Sequence, residues 1–134
     1  MKKILLTIVG ILVGSSAFAN TYCPDSLTCD IKDKNKTTCA GLATSWGMAV
    51  DPTISGLKTM PLKEIQAYSN DLYKKNKSYH LFCYYNATPN SVESFYIYSK
   101  NTGALGGNNW VPAKQNPDIS KDCTPFSLTN CYTK

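Results

Sequence analysis

Three lysines fall within four positions, at Lys74, Lys75 and Lys77, and Tyr73, Tyr79 and His80 flank them. Ammonium groups capture anions as point charges, and phenol and imidazole groups add directed hydrogen bonds. The chemistry this cluster could do is recognition of a phosphate or sulfate group, as on a phosphoinositide headgroup or an acidic glycan. Near an anionic membrane each lysine contributes about 1 kcal/mol. Three of them alone give attraction on the order of millimolar, so a shaped pocket must add the rest. The same residues would also serve as a solvated turn that protects a strand edge from aggregation.

Catalytic patterns are sparse. His80 is the only histidine, and no serine sits in a G-x-S-x-G turn. Glu64 and Glu93 are the only glutamates, and nothing in their spacing makes them meet. A carboxylate pair for glycoside hydrolysis could be assembled only from residues distant in sequence. The reading taken is therefore non-enzymatic, with a small secreted hydrolase as the alternative. A protein-binding inhibitor or adhesin is the third possibility. No cofactor is implied.

Six cysteines, at 23, 29, 39, 83, 123 and 131, allow fifteen pairings. Their spacings lack the close doublets and partner histidines of zinc sites, and no C-x-x-C redox motif occurs. No metal site is expected, and the cysteines read as a structural framework. Cys123 and Cys131 would close a local C-terminal loop. Two of Cys23, Cys29 and Cys39 would pair together, and the third would reach Cys83. Such a long bridge stabilises by roughly 4 kcal/mol in the chain-entropy description.

Aromatic residues offer a third kind of chemistry. Tyr84, Tyr85, Tyr96 and Tyr98 could line one sheet face and stack on sugars, although such residues more often form cross-strand pairs. Trp46 and Trp110 read as core anchors.

These groups are carried on a chain of 134 residues that opens with a secretory pattern. Lys2 and Lys3 precede an apolar run from Ile4 to Val13, and Ala17-Phe18-Ala19 forms a small-residue cleavage site. Residues 1–19 are expected to be removed, leaving one secreted disulfide-rich domain over residues 20–134. The apolar run is well short of the roughly 20 residues a spanning helix needs, so no transmembrane segment is expected in the mature chain. Export through the periplasm to the exterior places the cysteines where they can oxidise. Loss of Lys2 and Lys3 leaves twelve lysines against nine acids, a net charge of +3. No arginine is present. That argues against sequence-specific nucleic-acid binding, which relies on arginine for bidentate base contacts.

The elements read as α+β: a small β-rich, disulfide-stapled domain with one helix. Residues 20–38 read as a stapled arm or loops, and Cys39–Val50 as a strand with a bulge. Pro61–Tyr73 is the helix candidate. Pro61 suits a first turn, and Leu62, Ile65, Tyr68 or Ser69, and Leu72 recur at helical spacing. The competing reading of Gln66–Ser69 is a short edge strand. Ser78–Asn86 and Val92–Ser99 read as strands joined in a hairpin, with Phe95 and Ile97 on one face and Tyr96 and Tyr98 on the other. Trp110-Val111 starts a short last strand, and the tail from Gln115 reads as irregular.

Several of these segments carry a family resemblance. The start Thr21-Tyr22-Cys23-Pro24-Asp25, the Trp46-Gly47 segment, Ile65-Gln66-Ala67-Tyr68, the Cys83-Tyr84-Tyr85 strand and the late Trp110 together resemble small cysteine-rich secreted proteins of Legionella and related bacteria. The resemblance implies export by type II secretion, a role in virulence during growth inside amoebae, and host membranes or glycans as partners. It implies no catalytic residues. The expectation drawn from the residues and the resemblance together is an exported binding protein that recognises an anionic host surface. Its contacts would be Lys74, Lys75 and Lys77, with Tyr73, Tyr79 and His80 beside them.

Overall fold

The computed structural model describes residues 19–70, 77–87 and 94–134. Of the expected signal peptide only Ala19 is among them, and Tyr73, Lys74 and Lys75 lie outside them. The described residues form strands β1 (Ser26–Ile31), β2 (Thr37–Cys39), β3 (Trp46–Val50), β4 (Gly56–Tyr68), β5 (His80–Asn86), β6 (Ser94–Ser99), β7 (Leu105–Gly106), β8 (Trp110–Pro112), β9 (Ser120–Cys123) and β10 (Tyr132–Thr133). They build a curled antiparallel sheet in the order β2-β1-β4-β5-β6-β3. Strand β9 joins the sheet at β4 and carries β8, while β7 and β10 form a separate small ribbon.

The alternation of side chains along each strand explains the sheet. Odd positions of β5 and β6 point inward: Leu81, Cys83, Tyr85, Phe95 and Ile97 are each no more than 1% exposed. They pack with Leu27, Cys29 and Ile31 of β1 and with Met60 and Ile65 of β4. Tyr85 keeps its hydroxyl satisfied inside this core by donating to the Pro24 carbonyl at 2.6 Å. Its ring meets Phe95 edge-on at 6.4 Å. Trp46 and Trp110 pack against the core half-buried. The Trp110 indole donates to the Gly106 carbonyl at 2.8 Å.

The α+β expectation is overturned. The described residues are all-β with no helix, and the helix candidate runs as strand through Tyr68. The cause is a β-bulge. Leu62 pairs with Tyr85 and Glu64 with Tyr84, so Lys63 is an extra residue on β4. Before the bulge, even positions Met60 and Leu62 face the core; after it, Ile65, Ala67 and Ser69 are the buried ones. The odd step from Leu62 to Ile65 therefore imitates a helical repeat.

Two further segments differ from expectation. The supposed arm over residues 20–38 contains β1, an interior strand between β2 and β4. Its buried set includes Cys29, and its outward positions are polar, so the alternation was easy to read as a loop. The tail holds β9, which pairs with β4 through Gln66↔Asp122 and Tyr68↔Ser120. The β5–β6 hairpin pairing is as expected, from Phe82↔Tyr98 to Asn86↔Ser94.

Three disulfides close the fold: Cys23–Cys83, Cys29–Cys39 and Cys123–Cys131. They follow the expected arrangement of two local bridges and one long tie. Cys29 and Cys39 are directly opposed on β1 and β2. Cys23–Cys83 spans 60 residues, against 8 for Cys123–Cys131. Loop-closure entropy then predicts a stability loss of about 4 kcal/mol for the Cys23→Ala/Cys83→Ala protein and about 2.5 kcal/mol for Cys123→Ala/Cys131→Ala. Urea unfolding of the two double variants checks this ranking.

Candidate functional site

Even positions of β5 and β6 point away from the core and gather aromatic rings on the outer face. Phe82, Tyr84, Tyr96 and Tyr98 are all half-buried. Tyr96 is the hub. Its ring lies 5.2 Å from that of Tyr84, 5.9 Å from that of Phe82 and 6.5 Å from that of Tyr98. Phe82 stacks on Tyr98 at 5.8 Å. The expected set is corrected here: Tyr85 is buried in the core, because neighbours on a strand cannot share a face, and Phe82 takes its place.

The platform rests on a glycine at one edge. Gly47 on β3 is opposite Tyr98, and a Cβ built there would lie 2.2 Å from the Tyr98 ring. The absent side chain lets the ring lie flat across the edge strand.

The bulge on β4 continues the outer face with polar groups. Glu64 is paired with Tyr84, Gln66 with Phe82 on one side and Asp122 on the other, and Tyr68 with both His80 and Ser120. Gln66 Nε2 donates to Glu64 Oε1 at 2.8 Å. Burial, followed by Tyr96, Glu64 and Asp122, pushes the Tyr84 phenol up to about 12. Asp122 Oδ1 is buried and has no hydrogen-bond partner among the described residues. One cavity of about 120 Å³ is lined by Gln66, Tyr68, Phe82, Tyr84 and Ser120. A second of about 350 Å³, lined by Gln66, Ser120, Asp122 and the loop after β8, adjoins it. Gln66, Ser120 and Asp122 carried no signal in the sequence, because the pairing of β9 with β4 that assembles them is long-range. Phe82 was legible from the alternation along β5.

Of the six residues expected to take an anion, three are described. Lys77 donates its ammonium to the Asp118 carbonyl. Tyr79 is buried, its backbone paired with Gly103, and burial raises its phenol pKa. His80 is half-buried, and its Nδ1 donates to the Ser99 carbonyl at 2.7 Å. Among the described residues, no group of three His, Cys, Asp or Glu could hold a metal ion.

No protein family, curated protein or solved structure matches the chain. No helix among the described residues is long and apolar enough to cross a membrane.

Two outcomes test the platform's geometry. Gly47→Val should force Tyr98 off the edge strand and cost about 1–3 kcal/mol, and the cost should shrink in a Tyr98→Ala background. Urea unfolding of the single and double variants measures that coupling. The raised Tyr84 pKa means that the folded state resists ionisation more than the unfolded chain does. The stability this contributes is intact below about pH 10 and is lost as pH rises toward 12. Phenolate absorbance in a rapid alkaline titration should show this tyrosine ionising after the exposed ones.

Proposed function

We propose that the protein is an exported binding protein and that its outer aromatic face takes a saccharide. The observation that carries this reading is the cluster of Phe82, Tyr84, Tyr96 and Tyr98, half-buried on the outer face of a disulfide-stapled sheet. Pyranose rings present flat C–H faces, and a flat aromatic surface complements them. Cross-strand aromatic pairs also hold sheets together. Here, however, the opposite face already supplies a core with Tyr85, Phe95, Ile65 and Ile97. A contiguous apolar patch left outside such a core is characteristic of an interaction surface. The polar row Glu64, Gln66 and Asp122 beside the rings provides the directed acceptors and donors that sugar hydroxyls require.

Export is supported by the amino-terminal pattern and by three disulfides, which are typical of extracellular proteins. In the setting implied by the resemblance to type II secretion substrates, the saccharide belongs to a host or environmental surface.

The test exposes oxidised protein to immobilised neutral and acidic oligosaccharides, and in parallel to neutral, anionic and phosphoinositide liposomes. Saccharide binding that falls at least tenfold in Tyr96→Ala, with the near-ultraviolet spectrum of the fold retained, is the expected result; tenfold corresponds to about 1.4 kcal/mol. Binding to anionic liposomes alone, abolished by Lys74→Glu/Lys75→Glu and indifferent to Tyr96→Ala, would replace the saccharide with an anionic headgroup as the ligand.

A further inference from the structure

Resting on the saccharide reading, we infer that the cleft between β4 and β9 is a second subsite beside the aromatic platform, and that the ligand is a neutral oligosaccharide of two or more units. The two outer-face cavities share Gln66 and Ser120 as lining residues, so they run together across the β4–β9 pair. One end is floored by Phe82 and Tyr84; the other is walled by Asp122 and the loop carrying Lys114 and Asn116. A sugar stacked on the rings would thus direct its next unit along a polar trough.

The chemistry of the trough selects the ligand. Asp122 Oδ1 is a buried carboxylate oxygen that accepts no hydrogen bond from the described residues. The Asp122 carboxylate lines the trough, and a carboxylate there accepts from a sugar hydroxyl. The Gln66 amide is held by Glu64, so its oxygen is left to accept from the same sugar. Glu64 is paired with Tyr84 and Asp122 with Gln66, which places two carboxylates beside the platform. Lys114, exposed on the loop wall, is the cation lining the trough, while Lys121 on β9 donates to the Pro117 carbonyl at 2.7 Å. A uronate or sulfate entering here would meet two carboxylates at short range, where salt screens little. A neutral chain meets the same acceptors without that repulsion.

The experiment is titration of the oxidised full mature chain with neutral oligosaccharides of one to six units, and with uronate and sulfated oligosaccharides of matched length, followed by NMR shifts of the tyrosine rings. Affinity should rise at least tenfold from one unit to two or three. Neutral chains should bind at least tenfold more tightly than acidic ones. Asp122→Asn, which is close to isosteric, should narrow the preference against acidic chains. Asp122→Ala should lower oligosaccharide affinity about tenfold and single-sugar affinity by clearly less, whereas Tyr96→Ala lowers both alike. Gln66→Ala provides a second probe of the trough should Asp122→Ala disturb β9. Oligosaccharide binding that depends on Tyr96 but is indifferent to Asp122 and Gln66 overturns the cleft and leaves the platform standing. A preference for acidic chains also overturns it. Absence of binding to every saccharide overturns the platform and the cleft together.

Discussion

One extra residue, Lys63 in the middle of β4, organises both faces of this protein. A thirteen-residue strand without a bulge would keep one parity of side chains inward along its whole length. With the bulge, Met60 faces the core beside β1 and Leu62 beside Tyr85 of β5, and Ile65 and Ala67 face it beside β5 and β9. The strand can thus change partners while Met60, Ile65 and Ala67 all stay buried. The same inversion turns Glu64, Gln66 and Tyr68 outward, next to Phe82, Tyr84 and His80. Removing the inserted residue would slip every later side chain to the opposite face. Ile65 and Ala67 would then be exposed, and a carboxylate and an amide would be driven into the core.

The disulfides make that arrangement affordable in a chain of this size. Cys23–Cys83 fastens the amino-terminal segment to the middle of β5, and Cys29–Cys39 fastens β2 to β1. Constraining the unfolded chain substitutes for core that a small domain lacks. The inner face still provides a dense cluster, with Tyr85 and Phe95 the largest side chains in it. The outer rings are therefore not required to complete a core. Their positions are fixed from below by the hairpin register, and Tyr98 is fixed from the side by the open space over Gly47.

The sequence was legible where periodicity is local and unbroken. The β5–β6 hairpin and the opposition of Phe95 and Ile97 to Tyr96 and Tyr98 could be read from spacing, whereas spacing left open which of Cys23, Cys29 and Cys39 reaches Cys83. It failed where a single inserted residue changed the phase, as at Lys63, and where a short strand's apolar alternation, Leu27 and Ile31 around Cys29, is set among polar residues and cysteines, as in β1. The lysine cluster drew attention because its charges are adjacent in sequence. Yet the described part of it is spent on the fold: Lys77 on the Asp118 carbonyl and His80 on that of Ser99. The polar half of the candidate site was invisible for the opposite reason. Asp122 lies 56 residues from Gln66 in the chain, and only the docking of β9 against β4 makes them neighbours.

A cross-linked sheet face brings its side chains to recognition already ordered. Each long side chain that a ligand must immobilise costs about 0.5–1.5 kcal/mol. The rings of Phe82, Tyr84, Tyr96 and Tyr98 are already ordered, each held by at least one neighbouring ring at 5.2–6.5 Å. Gln66 is likewise oriented by Glu64 before any ligand is present. Weak individual contacts, such as a sugar face on a phenol ring, yield useful affinity only when that ordering cost has been met during folding. The long Cys23–Cys83 bridge anchors Cys83, which lies between Phe82 and Tyr84 on β5 and faces the opposite side. The bond that most restrains the unfolded chain thus also holds down the strand on which the platform is built.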